Sequence, residues 1–316
     1  MKVHISELKT LTKKLIEAGY ETVVSRGIKK YSFNLIARKE SKKLVVRLLK
    51  NIDSCRKPIA IELKKLAFSI GGVPLIVGLY TKNEPLLSGV VYSRFGIHAT
   101  NVETFKEIVN GKEPIIYAKR GGLFVKVNGS RLRRLRESKG LSLGQLAKEV
   151  GVSRRAIYGY ERGEIEATLE VAAKLEEVLG ESVIKPISIA SCREHIKREL
   201  IESEEEVRDP LIREIEHIAR DEGFIVATLR KAPFELAAVN VEEESRTFIK
   251  TVKRTTTAKE LEEDLEVAIK IAEITEANVI VLSENKKLER DLEGSFNNVC
   301  FVRKDELMEY LRSFLL

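Results

Sequence analysis

Residues 129–180 read GSRLRRLRESKGLSLGQLAKEVGVSRRAIYGYERGEIEATLEVAAKLEEVLG. Helix starts and stops recur along this stretch. Ser130, Ser142, Ser153 and Thr168 are residue types that accept hydrogen bonds from the backbone N–H groups an opening helical turn leaves unpaired. Gly140, Gly151, Gly163 and Gly180 suit the points where a chain leaves the right-handed helix. Between these marks the apolar residues keep helical spacing: Leu132 and Leu135; Leu143, Leu146, Ala147 and Val150; Ala156, Ile157 and Tyr160; Leu169, Ala172, Leu175 and Leu179. The pattern predicts four short helices. Gly151 makes the sharp turn between the second and third, and Ala147 is small where those two cross.

The same stretch concentrates charge. Residues 129–163 hold nine Lys or Arg against three Glu, so they carry nearly all of the chain's net charge of +7. A focus of this kind is the electrostatic footprint of a polyanion partner. Read alone, it is also compatible with a solvated basic helix face.

The ordered set Leu141-Ser142, Gln145-Leu146-Ala147, Val150-Gly151-Val152-Ser153, Ile157 and Tyr160-Glu161-Arg162-Gly163 resembles the lambda-repressor-type (Xre-like) helix-turn-helix family. The resemblance implies that the third helix enters the major groove of double-stranded DNA, the expected partner, and reads base edges with its exposed early residues. Here those are Ser153, Arg154, Arg155, Tyr158 and Gly159. Arg154 and Arg155 can each pair with guanine or hold a phosphate. Tyr158 either packs on a sugar or thymine methyl or is a plain surface residue. Gly159 stands where the family carries a polar reader, which narrows the readout or lets the backbone approach. Ser142, Gln145, Lys148 and Arg162 are the candidate phosphate contacts. Arg136 and Glu161 form a structural ion pair in this reading. One module reads only a few base pairs, so a homodimer on a two-fold operator is expected.

The flanks resemble each other. Leu15-Ile16-Glu17-Ala18-Gly19-Tyr20, Phe33-Asn34-Leu35-Ile36-Ala37 and Leu44-Val45-Val46-Arg47-Leu48 match Ile218-Ala219-Arg220-Asp221-Glu222-Gly223-Phe224, Phe234-Glu235-Leu236-Ala237-Ala238 and Phe248-Ile249-Lys250-Thr251-Val252. A helix (through Glu62 or Glu266), a buried strand (Val73 to Val77 or Val279 to Leu282), a short apolar segment (Phe95-Gly96-Ile97 or Val299 to Val302) and a last helix (Val102 to Val109 or Lys304 to Leu315) follow in each. Generic α/β patterning is the competing account. The predicted fold class is therefore α/β flanking domains, two related copies, around an all-α helix-turn-helix domain. The expected boundaries are 1–112 and 209–316 for the α/β copies, 113–128 for a hairpin linker or wing, 129–182 for the helix-turn-helix domain and 183–208 for a second linker. Within it the acid run Glu204 to Val207 reads as solvated linker.

The order of elements in each flank resembles the restriction-endonuclease-like fold. That family's site takes an Asp on the second strand and Glu-x-Lys on the third, where the carboxylates hold Mg²⁺. Here the Asp position holds Asn34 or Glu235. The Glu-x-Lys positions read Arg47-Leu48-Leu49 and Lys250-Thr251-Val252. A cation stands where a carboxylate is required, so both copies are expected to be inactive, with Arg47 and Lys250 free to meet a phosphate, an internal carboxylate or solvent.

Other chemistry finds little support. His4, His98, His195 and His217 lack metal-pair spacing. Gly71-Gly72 and Gly121-Gly122 read as turns. Ser188 to Cys192 has no catalytic base beside it, and no phosphate loop or dinucleotide fingerprint is present. Cys55, Cys192 and Cys300 form no pattern, no membrane span or secretory signal is expected, and a cytoplasmic location fits. The Lys-, Arg- and Glu-rich composition resembles that of a thermophile. No cofactor is expected and no effector is identified. The favoured reading is a sequence-specific transcriptional regulator, and the three-part layout resembles a group of archaeal helix-turn-helix regulators. An interaction protein of antitoxin or coactivator type and a Mg²⁺-dependent nuclease are the rivals.

Overall fold

The computed structural model describes residues 2–25, 30–82, 84–202, 209–252, 256–283, 296, 299–303 and 306–312. The elements run α1 (Lys2–Glu17), β1 (Glu21–Val24), β2 (Leu35–Lys39), β3 (Lys42–Asn51), α2 (Lys57–Ser69), β4 (Val73–Thr81), β5 (Glu84–Pro85), β6 (Val90–Arg94), β7 (Ile97–Thr100) and α3 (Val102–Val109). Next come β8 (Ile116–Lys119), β9 (Gly122–Val127), α4 (Gly129–Ser138), α5 (Leu143–Val150), α6 (Arg154–Arg162), β10 (Ala167–Thr168), α7 (Leu169–Leu179), β11 (Ile184–Lys185) and α8 (Arg193–Glu202). The chain continues through α9 (Pro210–Asp221), β12 (Ile225–Thr228), β13 (Leu236–Val239), β14 (Arg246–Thr251), α10 (Ala258–Thr275), β15 (Asn278–Leu282), β16 (Cys300–Val302) and α11 (Leu307–Arg312). Among the described residues no helix is long and apolar enough to cross a membrane.

The chain divides into two units, Met1–Leu49 with Ser54–Ile76 and Cys192–Leu316, and Lys50–Asp53 with Val77–Ser191. The division cuts across the expected boundaries. The flanks share the first unit, while β6, β7 and α3 join the helix-turn-helix module in the second.

In the first unit β1, β2 and β3 form an antiparallel meander in which Leu35 faces Val24 on one side and Val46 on the other. The C-terminal sheet has the order β12-β13-β14-β15-β16. Its first three strands repeat the meander, with Leu236 between Thr228 and Ile249, and β14, β15 and β16 run parallel. Successive strand residues point to opposite faces. Leu35, Ile36 and Ala37 are all fully buried, as are Leu236, Ala237 and Ala238, so both faces of each sheet are covered. The covering helices are exchanged. α1 and α10 pack on β1 and β2, whereas α9 and α2 pack on β12 and β13.

Acidic side chains fasten the exchange. Glu62 on α2 accepts the N–H groups of Arg230 and Lys231, at 2.7 and 2.8 Å. Asp264 on α10 accepts the Tyr31 hydroxyl at 2.6 Å and pairs with Lys30 at 2.7 Å. Lys65 donates to the Thr228 carbonyl at 3.0 Å, and Ser32 N–H to the Lys231 carbonyl at 2.7 Å.

In the second unit β6 pairs with β7 antiparallel and with β8 in parallel. Phe95 and Gly96, read as an apolar segment, form the β6–β7 turn, both at positive φ. β8 and β9 form the predicted hairpin, but it is no separate linker. β9 also pairs with β10 and β11, and it buries Val125 and Val127 in one core with Leu132, Leu146, Ile157, Leu175 and Leu179. The module is helices plus short strands, a correction to the all-α expectation. The second linker likewise carries structure, with a 3₁₀ turn over Ile189–Cys192 followed by α8. The acid run 204–207 and both ends of the predicted last helix, 304–305 and 313–315, lie outside the described residues.

Candidate nucleic-acid interface

Each helix of the module opens on a side-chain cap. Ser142 Oγ accepts from Gln145 N–H at 3.2 Å while Gln145 Oε1 accepts from Ser142 N–H at 2.8 Å, a closed capping box on α5. Ser153 caps α6 through Ala156 N–H at 3.1 Å, and Thr168 caps α7 through Val171 N–H. The α4 cap is Asn128 rather than Ser130. Asn128 Oδ1 accepts from Arg131 N–H at 3.2 Å, and Ser130 merely donates to it. The helix begins two residues early, at Gly129, which lies against α6. A Cβ there would stand 2.1 Å from the Glu161 carbonyl oxygen. Gly151, Gly163 and Gly180 close their helices in the left-handed conformation.

Arg136 and Glu161 pair as expected. The guanidinium gives Glu161 two bonds, of 2.6 and 3.2 Å, and a third to the Leu141 carbonyl at 2.9 Å. Arg136 is buried, so this ion pair locks α4 to α6 and to the turn ahead of α5.

With Ile157 and Tyr160 buried, the opposite face of α6 is solvent-facing. Ser153, Arg154, Arg155 and Tyr158 are all exposed on it, and Ser142, Gln145, Lys148 and Arg162 are exposed as well. Arg162 pairs with Glu164, donates to the Tyr158 hydroxyl at 3.3 Å and lies 5.6 Å from the centre of that ring, so the two side chains hold each other. Gly159 departs from expectation. It is buried, and a Cβ on it would meet Ile165 at 3.0 Å, so this position packs under the loop after α6 and presents nothing outward. Ile165 was not anticipated; its only signal is an apolar residue between Glu164 and Glu166.

Of the nine cations in the module, Arg131, Arg133, Arg136 and Arg162 are neutralised by Glu181, Glu137, Glu161 and Glu164. Among the described residues Arg134, Lys139, Lys148, Arg154 and Arg155 are exposed and have no salt-bridge partner. The uncompensated positive charge therefore includes the start of α6.

The endonuclease-like positions are occupied by internal bonds. Buried Asn34 accepts Leu48 N–H at 2.9 Å, and Glu235 accepts Thr251 N–H at 2.8 Å, the matching bond in the other sheet. Arg47 donates to the Tyr31 carbonyl at 2.9 Å. Lys250, read as facing phosphate, carboxylate or solvent, is buried between Glu235 Oε1 at 2.9 Å and Asp264 Oδ2 at 2.8 Å. Burial works against its charge, but the two carboxylates override it and hold the ammonium above its ordinary range. Asp264 is raised by burial and lowered further by bonds from Lys250, Lys30 and Tyr31, so it stays ionised below the usual carboxylate range. A divalent cation does not fit these donors. The ammonium already fills the space between the carboxylates in one sheet, the other offers an amide and a guanidinium, and no group of three His, Cys, Asp or Glu among the described residues could hold a metal.

Comparison with known proteins agrees with this layout. Residues 5–115 match the PD-(D/E)XK superfamily domain, and residues 132–184 match a helix-turn-helix family. A Pyrococcus furiosus protein provisionally named an HTH-type transcriptional regulatory protein is 34% identical over 323 residues, covering 97% of each chain. Similarly named proteins of Methanocaldococcus jannaschii and Thermococcus kodakarensis are each 38% identical, over 220 and 242 residues, covering 70% and 76% of this chain and 68% and 73% of their own. One solved chain, from a SinR protein/SinI protein complex, aligns over 30% of this chain and 97% of its own at 21% identity, with a TM-score of 0.16. The coverage and identity of these relatives show that the chain belongs to the family of archaeal HTH-type transcriptional regulatory proteins.

Proposed function

We propose that the protein binds specific DNA sequences as a homodimer and regulates transcription, with α6 in the major groove. The observation that carries this reading is the exposed row Ser153, Arg154, Arg155 and Tyr158 on a helix whose other face is locked into the module core. Among the described residues the arginines at its start have no salt bridge to give up before meeting a base edge or phosphate. Lys148 and Arg162, with Gln145 and the capping Ser142, serve the phosphates and fix the register. Gly159 has no part in the reading.

The flanks are read as two diverged copies of one fold that no longer cuts DNA. Their matched meander registers and the matched Asn34–Leu48 and Glu235–Thr251 bonds support common descent. The Lys250 ammonium between carboxylates supports inactivity.

The test is selection from a random DNA pool at about 150 mM salt, where unspecific attraction is damped. Wild type should enrich a two-fold symmetric motif, and the Arg154→Ala/Arg155→Ala variant should lose it. Failure of wild type to enrich any motif defeats the reading. Plasmid DNA incubated with the protein and Mg²⁺ should stay intact; cleavage that EDTA abolishes would restore the nuclease.

A further inference from the structure

The first unit contains a cavity of about 190 Å³ between the end of α2, the helix α8 and the turn joining β13 to β14. Its apolar wall includes Phe68, Ile196, Val239 and Val241, and Val241 is exposed although apolar. The charged side chains on the lining are Arg193, Lys197 and Arg246, with Glu194 and Glu244. None of these five forms a salt bridge among the described residues, although the charge of Glu244 partly offsets that of Arg193 at Arg246.

Arg246 is the least satisfied of them. One Nη donates to the Glu244 carbonyl at 2.7 Å, but its Nε is buried with no acceptor. The other Nη lies 2.8 Å from where a Cβ on Gly71 would stand, and Gly71 has a φ of +66°. Only glycine there leaves room for the guanidinium. A buried donor without a partner costs free energy that an acceptor would return. The neighbouring cations repel one another. Burial, then the charges of Arg246 and Arg38, push Lys43 down to about 8 against the pull of Glu276, and burial lowers Arg246, with Glu244 and Glu276 pulling it up and Arg193 pushing it down. An anion would relieve both the missing acceptor and the repulsion.

We propose that this pocket binds a small organic anion, a carboxylate or phosphate carried on an apolar body. The oxyanion meets Arg246 and Arg193, and the body lies against Phe68, Ile196 and Val241. The volume is below the ~300–1,000 Å³ usual for drug-sized ligands, so the occupant is small.

Calorimetric titration of the full chain tests this, with benzoate and phenyl phosphate as probes and benzyl alcohol and inorganic phosphate as comparators. At least one organic anion should bind with a Kd of ~1 mM or tighter, and ahead of both comparators. Whichever anion binds more tightly identifies the headgroup. Arg246→Met and Arg193→Ala should each weaken that binding about tenfold. Arg193 is exposed, so its variant keeps the test valid if Arg246→Met does not fold. No binding of either anion at ~10 mM overturns the proposal. So does equal binding of benzyl alcohol, or binding that both substitutions leave unchanged, since the basic row on the DNA-reading module would then account for it.

Discussion

Arg154 and Arg155 occupy the first two positions of α6, directly after the Ser153 cap. A base-reading arginine and a phosphate-holding lysine differ in what their loss does. Arg154→Ala and Arg155→Ala should each cost ~1–3 kcal/mol at the preferred site and relax the choice of base. Lys148→Ala should weaken all sequences alike and reduce the salt slope by about one. Binding titrations at several salt concentrations, on a preferred and a scrambled duplex, separate the two; equal losses on both duplexes for all three variants would remove α6 as the reading element. Lys250 allows a second prediction at this scale. Lys250→Met strips Glu235 of its ammonium partner and leaves Asp264, held then by Lys30 and Tyr31 alone, beside it, which should cost ~3–5 kcal/mol in denaturant unfolding at neutral pH. Adding Glu235→Gln should recover part of the loss, and acidification should shrink it by protonating the remaining carboxylate. A Lys250→Met chain as stable as wild type would mean that the ion pairs do not hold the sheet together.

At the level of elements, what could be read from sequence depended on how local the cause was. The helices α5, α6 and α7 follow from their caps and glycines because those residues act on backbone atoms within four positions. The start of α4 did not follow, because Gly129 answers to Glu161, far along the chain. The hairpin strand β9 is legible in sequence but its place in the module's sheet is not, because its partners β10 and β11 are two residues each, too short for alternation to show. Lys250 could not be placed, since its carboxylates sit 15 and 14 positions away on different elements. Gly129→Ala should therefore destabilise the module by ~1–3 kcal/mol or more, while the same change at exposed Gly144 should be nearly silent. Thermal melts of both variants check this. The β7 strand carries a pH dependence of its own. Burial, aided by the charge of Lys126, pulls His98 down to about 4, and its Nδ1 is buried without a partner beside Tyr117. The unfolded chain takes up this proton first, so the neutral ring's contribution is complete above pH 6.5 and is lost as pH falls towards 4. The loss should be on the order of 3 kcal/mol. The difference between wild type and His98→Asn across pH 7 to 4 isolates it, and parallel curves would show that the ring is not held neutral.

On the scale of the whole chain, the exchange of helices between the flanks governs what can fold alone. β1 and β2 are covered by α1 from their own flank and by α10 from the other; β12 and β13 are covered by α9 and by α2. Residues 1–191 without the rest would uncover the face of β2 that α10 protects, lose the Asp264 bonds to Lys30 and Tyr31, and leave Glu62 without the N–H groups of Arg230 and Lys231. An open sheet with one bare apolar face is a liability, so the flanks should fold as one cooperative body even though a whole DNA-reading module intervenes in sequence. Amide exchange of Leu35–Lys39 reports on this directly. In the full chain these amides should be among the slowest to exchange, whereas in 1–191 they should lose protection while those of α5 and α6, in the other unit, keep theirs. Supplying 209–316 as a separate chain should restore protection. Slow exchange over Leu35–Lys39 in 1–191 alone would show that the first sheet needs no help from α10, and that the exchanged helices decorate two independent domains rather than binding them into one.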